Sequence, residues 1–394
     1  MSKSALIFGA SGVTGWALVN EILHDYPKKG NWSKVHALTN RPLSQSDSLW
    51  PKDDRLNIVS GIDLLQGTQE ALAAKLSEIE GVADVTHVYY LAYKASGDHD
   101  REYKDAEAMV RRSITAMDHI SPKLEFVVLQ TGSKSYGCHL LEARPTDYIS
   151  VPLKESHPRI KSPYAEKLFY YAQLDWLAEY AKGKTWNWCE TRPDVIIGFV
   201  PNQNFYSLGR SLAVFLSLYA EIEGKGAICP YPGRKTAWTA KSHDSSSDMI
   251  ARQSIHLSLT LPISQKGEAF NVANAKAPES WETKWPELCS YFGLKGTGPP
   301  DSGEPIEVES YVHKHIAVWD EMEKKYSLKT GMAVPDKTFK TFSGFEYFLL
   351  SSFDFDRQFD MTKTYGTGFE EERSTIQTWG GVFDRMRAAK IIPS

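Results

Sequence analysis

Three tyrosines and one lysine stand where proton-handling chemistry can be built. Tyr164-Ala165-Glu166-Lys167-Leu168-Phe169-Tyr170-Tyr171-Ala172-Gln173-Leu174-Asp175 follows Ser162-Pro163, which reads as a helix N-cap and first-turn pair. A lysine four residues beyond a tyrosine would set phenol and ammonium on one helix face, where the cation favours the phenolate. Tyr164 finds its lysine only three residues on, at Lys167, while Tyr170 and Tyr171 find Leu174 and Asp175 at the fourth position. The helix therefore lacks the pair: either the redox chemistry has been lost or the lysine comes from elsewhere. One source is Gln130-Thr131-Gly132-Ser133-Lys134-Ser135-Tyr136, a lysine among hydroxyls at the end of an apolar run. Spacing leaves Tyr164, Tyr170 and Tyr171 equal, but Tyr170 and Tyr171 lie about 100° apart on a helix. Only one of those two can face a reactive group while the other packs.

The second constellation binds an anion. Gly9-Ala10-Ser11-Gly12-Val13-Thr14-Gly15 lies directly after the first apolar run and before a helical pattern, with the spacing GxxGxxG. Glycines there permit a tight turn, let a pyrophosphate approach the backbone, and allow close helix packing, while the helix N-terminus offers free N–H groups. The predicted contacts are Gly9, Ser11, Gly12, Val13, Thr14 and Gly15. After the second run stand Thr39-Asn40-Arg41-Pro42, with no acidic residue to hold a ribose 2′-hydroxyl. Asn40 and Arg41 suit a 2′-phosphate instead, so the expected cofactor is NADP(H). Asp63 reads equally as a partner for the adenine amine or as a local cap.

These groups need a scaffold that brings distant segments together. Ala5–Phe8, Val35–Leu38, Leu56–Val59, Val85–Leu91, Phe126–Leu129 and Trp186–Thr191 are short apolar runs alternating with helical patterns such as Val13–Leu23. Continuous hydrophobicity means strands buried on both faces, hence a parallel sheet covered by helices. The expected class is α/β: a Rossmann-type, doubly wound parallel sheet with a smaller, mostly helical C-terminal substrate lobe. The expected domains are a cofactor-binding domain over 1–200, with 235–275 returning to it, and a substrate lobe over 201–234 and 276–394. Within this arrangement Ala269–Val272 reads as a further strand and Ser247–Leu257 as a helix. The reactive end of the cofactor belongs over the carboxyl ends of the later strands. By position, Leu91, Ala92 and Tyr93 line the path from pyrophosphate to ribose, Thr131 and Gly132 join them, and Val195 and Ile196 back the nicotinamide.

Composition removes other classes. The 394 residues carry 45 Lys+Arg against 49 Asp+Glu, a net charge of −4, with 42% hydrophobic and 24% charged residues, so neither nucleic acid binding nor disorder is signalled. Cys138, Cys189, Cys229 and Cys289 lack CxxC spacing, and no apolar run approaches the roughly 18 residues of a membrane span. A cytoplasmic protein, with homodimerisation allowed and no metal, is expected. His313-Lys314-His315 would put two imidazoles on one strand face without an evident third ligand, and Cys138 beside His139 does not make a nucleophile pair.

A further set of blocks carries a family likeness: Phe169-Tyr170-Tyr171-Ala172-Gln173-Leu174-Asp175, Gln130-Thr131-Gly132-Ser133-Lys134-Ser135-Tyr136-Gly137, Asn40-Arg41-Pro42, Arg192-Pro193-Asp194-Val195-Ile196-Ile197-Gly198-Phe199, Pro232-Gly233-Arg234-Lys235-Thr236-Ala237-Trp238 and Ala269-Phe270-Asn271-Val272-Ala273-Asn274. Their types and order resemble the progesterone 5β-reductase/iridoid synthase-like (PRISE) family, an atypical branch of the extended short-chain dehydrogenases. The likeness runs through nearly the whole chain, to Ile391-Ile392-Pro393. It implies that Lys134 and Tyr170 are the catalytic pair and that NADPH reduces a C=C bond conjugated to a carbonyl in a small apolar substrate. The chain departs from the family pattern in having Leu168 before Phe-Tyr-Tyr, Leu174-Asp175 after it, Asn40-Arg41 in place of two basic residues, and Cys138-His139-Leu140 where plant members have Gly-Pro-Phe.

Overall fold

The computed structural model describes residues 2–96, 98–202, 207–331 and 345–394. In chain order its strands are β1 (Lys3–Phe8), β2 (Trp32–Leu38), β3 (Leu56–Val59), β4 (His87–Tyr90), β5 (Phe126–Gln130), β6 (Asn187–Pro193), β7 (Val195–Ile197), β8 (Ile228–Pro230), β9 (Asp244–Ser246), β10 (Glu268–Val272) and β11 (Lys295–Thr297). The helices used below are α1 (Val13–Leu23), α2 (Gln45–Ser48), α3 (Gln69–Ser77), α4 (His99–Ile120), α5 (Phe169–Tyr180), α6 (Leu208–Glu223), α7 (Lys235–Thr239) and α8 (Ser247–Thr260).

The chain divides into two compact units. The first comprises Met1–Asp194, Asp248–Val272 and Met361–Glu370, the second Val195–Ser247, Ala273–Asp360 and Glu371–Ser394. Residues 203–206 and 332–344 of the expected substrate lobe lie outside the described residues.

In the first unit seven strands form one sheet in the order β10-β6-β5-β4-β1-β2-β3, every neighbouring pair parallel. This is the doubly wound α/β arrangement. Its strand order reverses between β1 and β4, where such sheets open a ligand crevice at their carboxyl ends. The strands carry apolar residues on successive positions because both faces are covered: Ala5, Leu6 and Ile7 of β1, and Val127, Val128 and Leu129 of β5, are all fully buried. One face packs against α3, α4 and α5, whose Leu72, Leu76, Met109, Val110, Ile114, Met117, Leu174 and Leu177 recur at the three-to-four spacing of a helix face. At roughly 1.5–3 kcal/mol per fully buried aliphatic side chain, this layer dominates the stability of the sheet.

Helix α1 spans Val13–Leu23, as its spacing predicts, and α8 covers the predicted Ser247–Leu257. The start of the tyrosine helix differs from expectation. Ser162 and Pro163 are joined by a cis peptide bond, and the chain makes successive tight turns there, with Tyr164 N donating to Lys161 O and Lys167 N to Tyr164 O. The helix begins only at Phe169, six residues past Pro163, with the uncapped Leu168 before it. His313 and Lys314 belong to a helix, Val308–Lys314, and His315 ends it, so the imidazoles do not share a strand face. The apolar spacing of Val308 and Val312, both buried, is helical and outweighs the alternation of His313 and His315.

The second unit holds α6 and two short parallel pairs, β7 with β9 and β8 with β11. Its interior contains a buried ion pair, Lys284 Nζ to Asp244 Oδ1 at 2.9 Å, with Trp379 Nε1 donating to the other oxygen at 2.7 Å.

Candidate active site

The glycine loop is shaped by close backbone approach. Gly9 has φ +84°, and a Cβ on it would lie 2.9 Å from backbone atoms of Leu91 and Ala92. A Cβ on Gly15 would lie 2.2 Å from the Gly9 carbonyl oxygen, so α1 can sit this tightly on the loop only without a side chain. Gly12 caps α1 with no side-chain hydrogen bond, leaving the first-turn N–H groups of Val13, Thr14 and Gly15 for an anion. Ser11 is partly exposed in the same turn. This cradle, which a Cβ would fill, fits the pyrophosphate of a dinucleotide.

At the end of β2, Asn40 and Arg41 are exposed. The backbone around them is fixed: Thr39 Oγ1 donates to Arg41 O at 2.7 Å, and Gly61 N donates to Asn40 O at 3.2 Å. The Arg41 guanidinium makes no ion pair among the described residues and is available to a phosphate. Asp63 Oδ1 accepts from Leu65 N at 2.8 Å and Gln66 N at 3.2 Å, a local cap made by one oxygen of that carboxylate.

The two neighbouring tyrosines differ in what their hydroxyls do. Tyr171 is buried, donates to Ser135 O at 2.8 Å and accepts from Ile160 N at 3.1 Å, with the Arg159 guanidinium 4.6 Å from its ring. It ties α5 to the turn after β5. Tyr170 makes no hydrogen bond among the described residues, and a Cβ on Gly132 would lie 3.7 Å from its hydroxyl. Its phenol therefore rests over the backbone two residues before Lys134. Tyr164 stays apart, packing against Leu140, Leu168 and Tyr171 with the Lys167 ammonium 5.7 Å from its ring. Leu168, the departure from the family pattern, is a buried member of that same cluster.

Lys134 lies in the turn Ser133–Tyr136 and pairs with no carboxylate among the described residues. Its ammonium is 5.8 Å from the centre of the Tyr93 ring. Tyr93 stacks on Phe169 at 5.6 Å, and Phe169 meets Tyr170 edge-on at 4.5 Å, so an aromatic row joins the two predicted catalytic groups. Tyr93 donates to Glu102 Oε1 at 2.5 Å.

Electrostatics sets the protonation of both. Burial first, then the Glu190 and Glu102 carboxylates, push the Tyr170 phenol above the usual tyrosine range, so it holds its proton as a donor. Burial pulls the Lys134 ammonium below the usual lysine range, with Glu102 opposing the shift. Burial and then the Lys134 charge lower His139 to about 3, so that imidazole is neutral.

Other predicted residues divide between the units. Thr131 is buried, with its hydroxyl donating to Glu190 Oε1 at 2.5 Å, and Gly132 follows it beneath Tyr170. Leu91 and Ala92 border Gly9. Val195 and Ile196 form β7 of the second unit.

A model of the PRISE-like Rossmann-fold domain matches residues 5–393. The chain belongs to the PRISE-like Rossmann-fold family. Among PRISE-related proteins, a short chain dehydrogenase of Aspergillus calidoustus (ausT) is 36% identical, over 100% of this chain and 95% of that one. An (S)-8-oxocitronellyl enol synthase of Nepeta racemosa is 30% identical, over 99% and 93%, and a 3-oxo-Δ4,5-steroid 5β-reductase of Arabidopsis thaliana is 29% identical, over 99% and 93%. A solved GDP-mannoheptose C4 reductase of Campylobacter jejuni with NADP bound shares the fold, with a TM-score of 0.59, 11% identity, and coverage of 97% and 98%. Among the described residues of this PRISE chain no helix is long and apolar enough to cross a membrane. Sequence reasoning passed over Glu102 and Glu190, and it left open which of Tyr170 and Tyr171 packs; the bonds to Ser135 and Ile160 give that place to Tyr171. The signal for Glu190 was a carboxylate between Cys189 and Thr191 in a strand that has a neighbour on either side in the sheet.

Proposed function

We propose that the protein is an NADPH-dependent reductase acting on C=C bonds conjugated to a carbonyl. The observation that carries this reading is the pair of tyrosines: Tyr171 has its hydroxyl committed to Ser135 and Ile160, and Tyr170 has an unbonded, protonated hydroxyl over Gly132 in the turn of Lys134. When bound, NADPH supplies a hydride to the β-carbon of the substrate. Negative charge then develops on the carbonyl oxygen, the Tyr170 O–H donates a hydrogen bond to it, and a proton taken from solvent at the α-carbon completes the saturated carbonyl compound. Lys134 adds a positive field to the same region, and its low hydration in a partly buried turn strengthens that field. The aromatic row of Tyr93, Phe169 and Tyr170 supplies an apolar wall for a small carbonyl compound. The relatives that act on an enol precursor and on a steroid enone support the substrate class. For the cofactor, the supports are Arg41, unpaired at the end of β2, and the absence of an acid there.

The test is NADPH consumption with a panel of small enones, enals and saturated ketones, with products identified. The proposal expects 2-cyclohexenone to give cyclohexanone and saturated ketones to be inert. Conversion of ketones to alcohols, with the enone's C=C bond left intact, would replace it with carbonyl reduction.

A further inference from the structure

The buried carboxyl group of Glu190 has no part in the proposed chemistry. Glu190 lies in β6 with 2% of its surface exposed, between the fully buried Cys189 and Thr191. A carboxylate in such a strand persists only when paired and hydrogen-bonded. Thr131 Oγ1 donates to its Oε1 at 2.5 Å and Ser135 Oγ donates to the same oxygen at 3.2 Å, while Arg192 Nη2 donates to Oε2 at 2.8 Å. The Arg192 guanidinium in turn lies 5.1 Å from the centre of the Tyr136 ring, and the Tyr136 hydroxyl donates to Asn271 Oδ1 at 2.7 Å. A buried ion pair adds little net stability, so what this cluster contributes is position. Thr131 and Ser135 stand on either side of Gly132 and Lys134, and Ser135 is also held through its carbonyl by Tyr171.

We propose that Glu190 is a positioning residue: by clamping Thr131 and Ser135 it fixes the turn that carries Lys134 and supports the Tyr170 hydroxyl over Gly132. The proposal rests on the assignment of Tyr170 and Lys134 made above. Its charge also bears on Tyr170: after burial, the Glu190 carboxylate contributes most to pushing that phenol up. Glu102 of α4 acts on Tyr170 and Lys134 alike, and Asp194 also holds the turn, its Oδ1 accepting from Ser133 Oγ at 2.8 Å. Loosening a reactive group by about 1 Å costs on the order of 100-fold in rate. The phosphate contacts assigned to the glycine loop and Arg41 are made without Glu190, whose hydrogen bonds go to Thr131, Ser135 and Arg192, so NADPH affinity should move far less than kcat even though Thr131 borders the cofactor path.

The experiment measures kcat and KM for 2-cyclohexenone, together with NADPH affinity by fluorescence, in wild type, Glu190→Gln, Ser135→Ala and Tyr170→Phe. A glutamine can offer an acceptor to Arg192 or to the two hydroxyls, but not to both sides. Glu190→Gln is expected to lower kcat about 10- to 100-fold with NADPH affinity and enone KM within about threefold of wild type. Ser135→Ala, which keeps the charge and removes one clamp, is expected to lose several-fold in kcat alone. Unchanged kcat in Glu190→Gln, or a parallel fall of kcat and NADPH affinity, would overturn the proposal. Where Glu190→Gln does not fold, Ser135→Ala decides, and wild-type kcat there overturns it. Full turnover by Tyr170→Phe instead refutes the underlying assignment, whereas an inactive Tyr170→Phe with a fully active Glu190→Gln refutes only the role of Glu190.

Discussion

Removing one oxygen atom from each of two adjacent residues should produce opposite phenotypes. Tyr170→Phe deletes a hydroxyl with no hydrogen bond among the described residues, so the folded state loses no internal bond and thermal stability should stay within about 0.5 kcal/mol of wild type. Its cost falls on the reaction: loss of one donor to a developing oxyanion is worth roughly 2.7–4 kcal/mol of barrier, or about 100- to 1,000-fold in kcat. Tyr171→Phe deletes a hydroxyl that donates to Ser135 O at 2.8 Å and accepts from Ile160 N at 3.1 Å. Two backbone groups then lose a partner, at about 1–3 kcal/mol in total once water reaches the less buried Ile160. The melting temperature should fall by several degrees, and kcat should fall only a few-fold, as the Lys134 turn loosens. The assay is NADPH consumption with an enone under saturating cofactor, paired with thermal unfolding of both variants. If Tyr171→Phe abolished turnover at full stability while Tyr170→Phe remained active, the assignment of roles on α5 would be reversed.

Four further outcomes follow from the same geometry. Gly15→Ala must push its methyl against the Gly9 carbonyl, 2.2 Å away before relaxation, so NADPH binding should be lost or the protein should fail to fold, as nucleotide titration and thermal unfolding would show. Arg41→Ala removes the guanidinium proposed for the 2′-phosphate; its charge-assisted bonds, worth about 1.5–3 kcal/mol, should raise KM for NADPH roughly 10- to 100-fold and leave KM for NADH nearly unchanged. For Lys134, burial disfavours the charged form, so its proton leaves below the usual lysine pH, and kcat/KM should decline on the alkaline side earlier than an exposed lysine would dictate. Glu102→Gln removes the carboxylate that opposes this shift, so the decline should move to still lower pH in a kcat/KM profile; an unmoved profile would exclude Lys134 as the titrating group.

The scaffold was readable because its signals are local. Continuous apolar runs mark strands covered on both faces, and a Cβ on any of the three glycines would meet backbone atoms at 2.2–3.2 Å, so the loop, α1 and the parallel sheet follow from short stretches of chain. The start of α5 was not readable: Ser162-Pro163 is as compatible with a tight turn as with a helix cap, and the backbone bonds to Lys161 and Tyr164 decide for the turn. The choice between Tyr170 and Tyr171 depends on partners 36 and 11 residues from Tyr171, which no spacing within the helix encodes. Family likeness pointed to Tyr170, and the hydrogen bonds of Tyr171 give a physical reason for the choice. Asp63 shows the same limit on a smaller scale, since its cap bonds from the amides of Leu65 and Gln66 are a matter of local backbone shape that residue type alone does not specify. Glu190 was overlooked because a charged residue in a strand is legible as unusual, yet its role depends on Thr131 and Ser135, brought alongside by the pairing of β5 with β6.

The claim of conjugate reduction is tested most directly by following the transferred atom. With NADPH deuterated at nicotinamide C4, on each face in turn, and 2-cyclohexenone as acceptor, one of the two cofactors should place deuterium on the former β-carbon of cyclohexanone. Deuterium on a carbinol carbon, or an enone returned without label while NADPH is consumed, would contradict the mechanism.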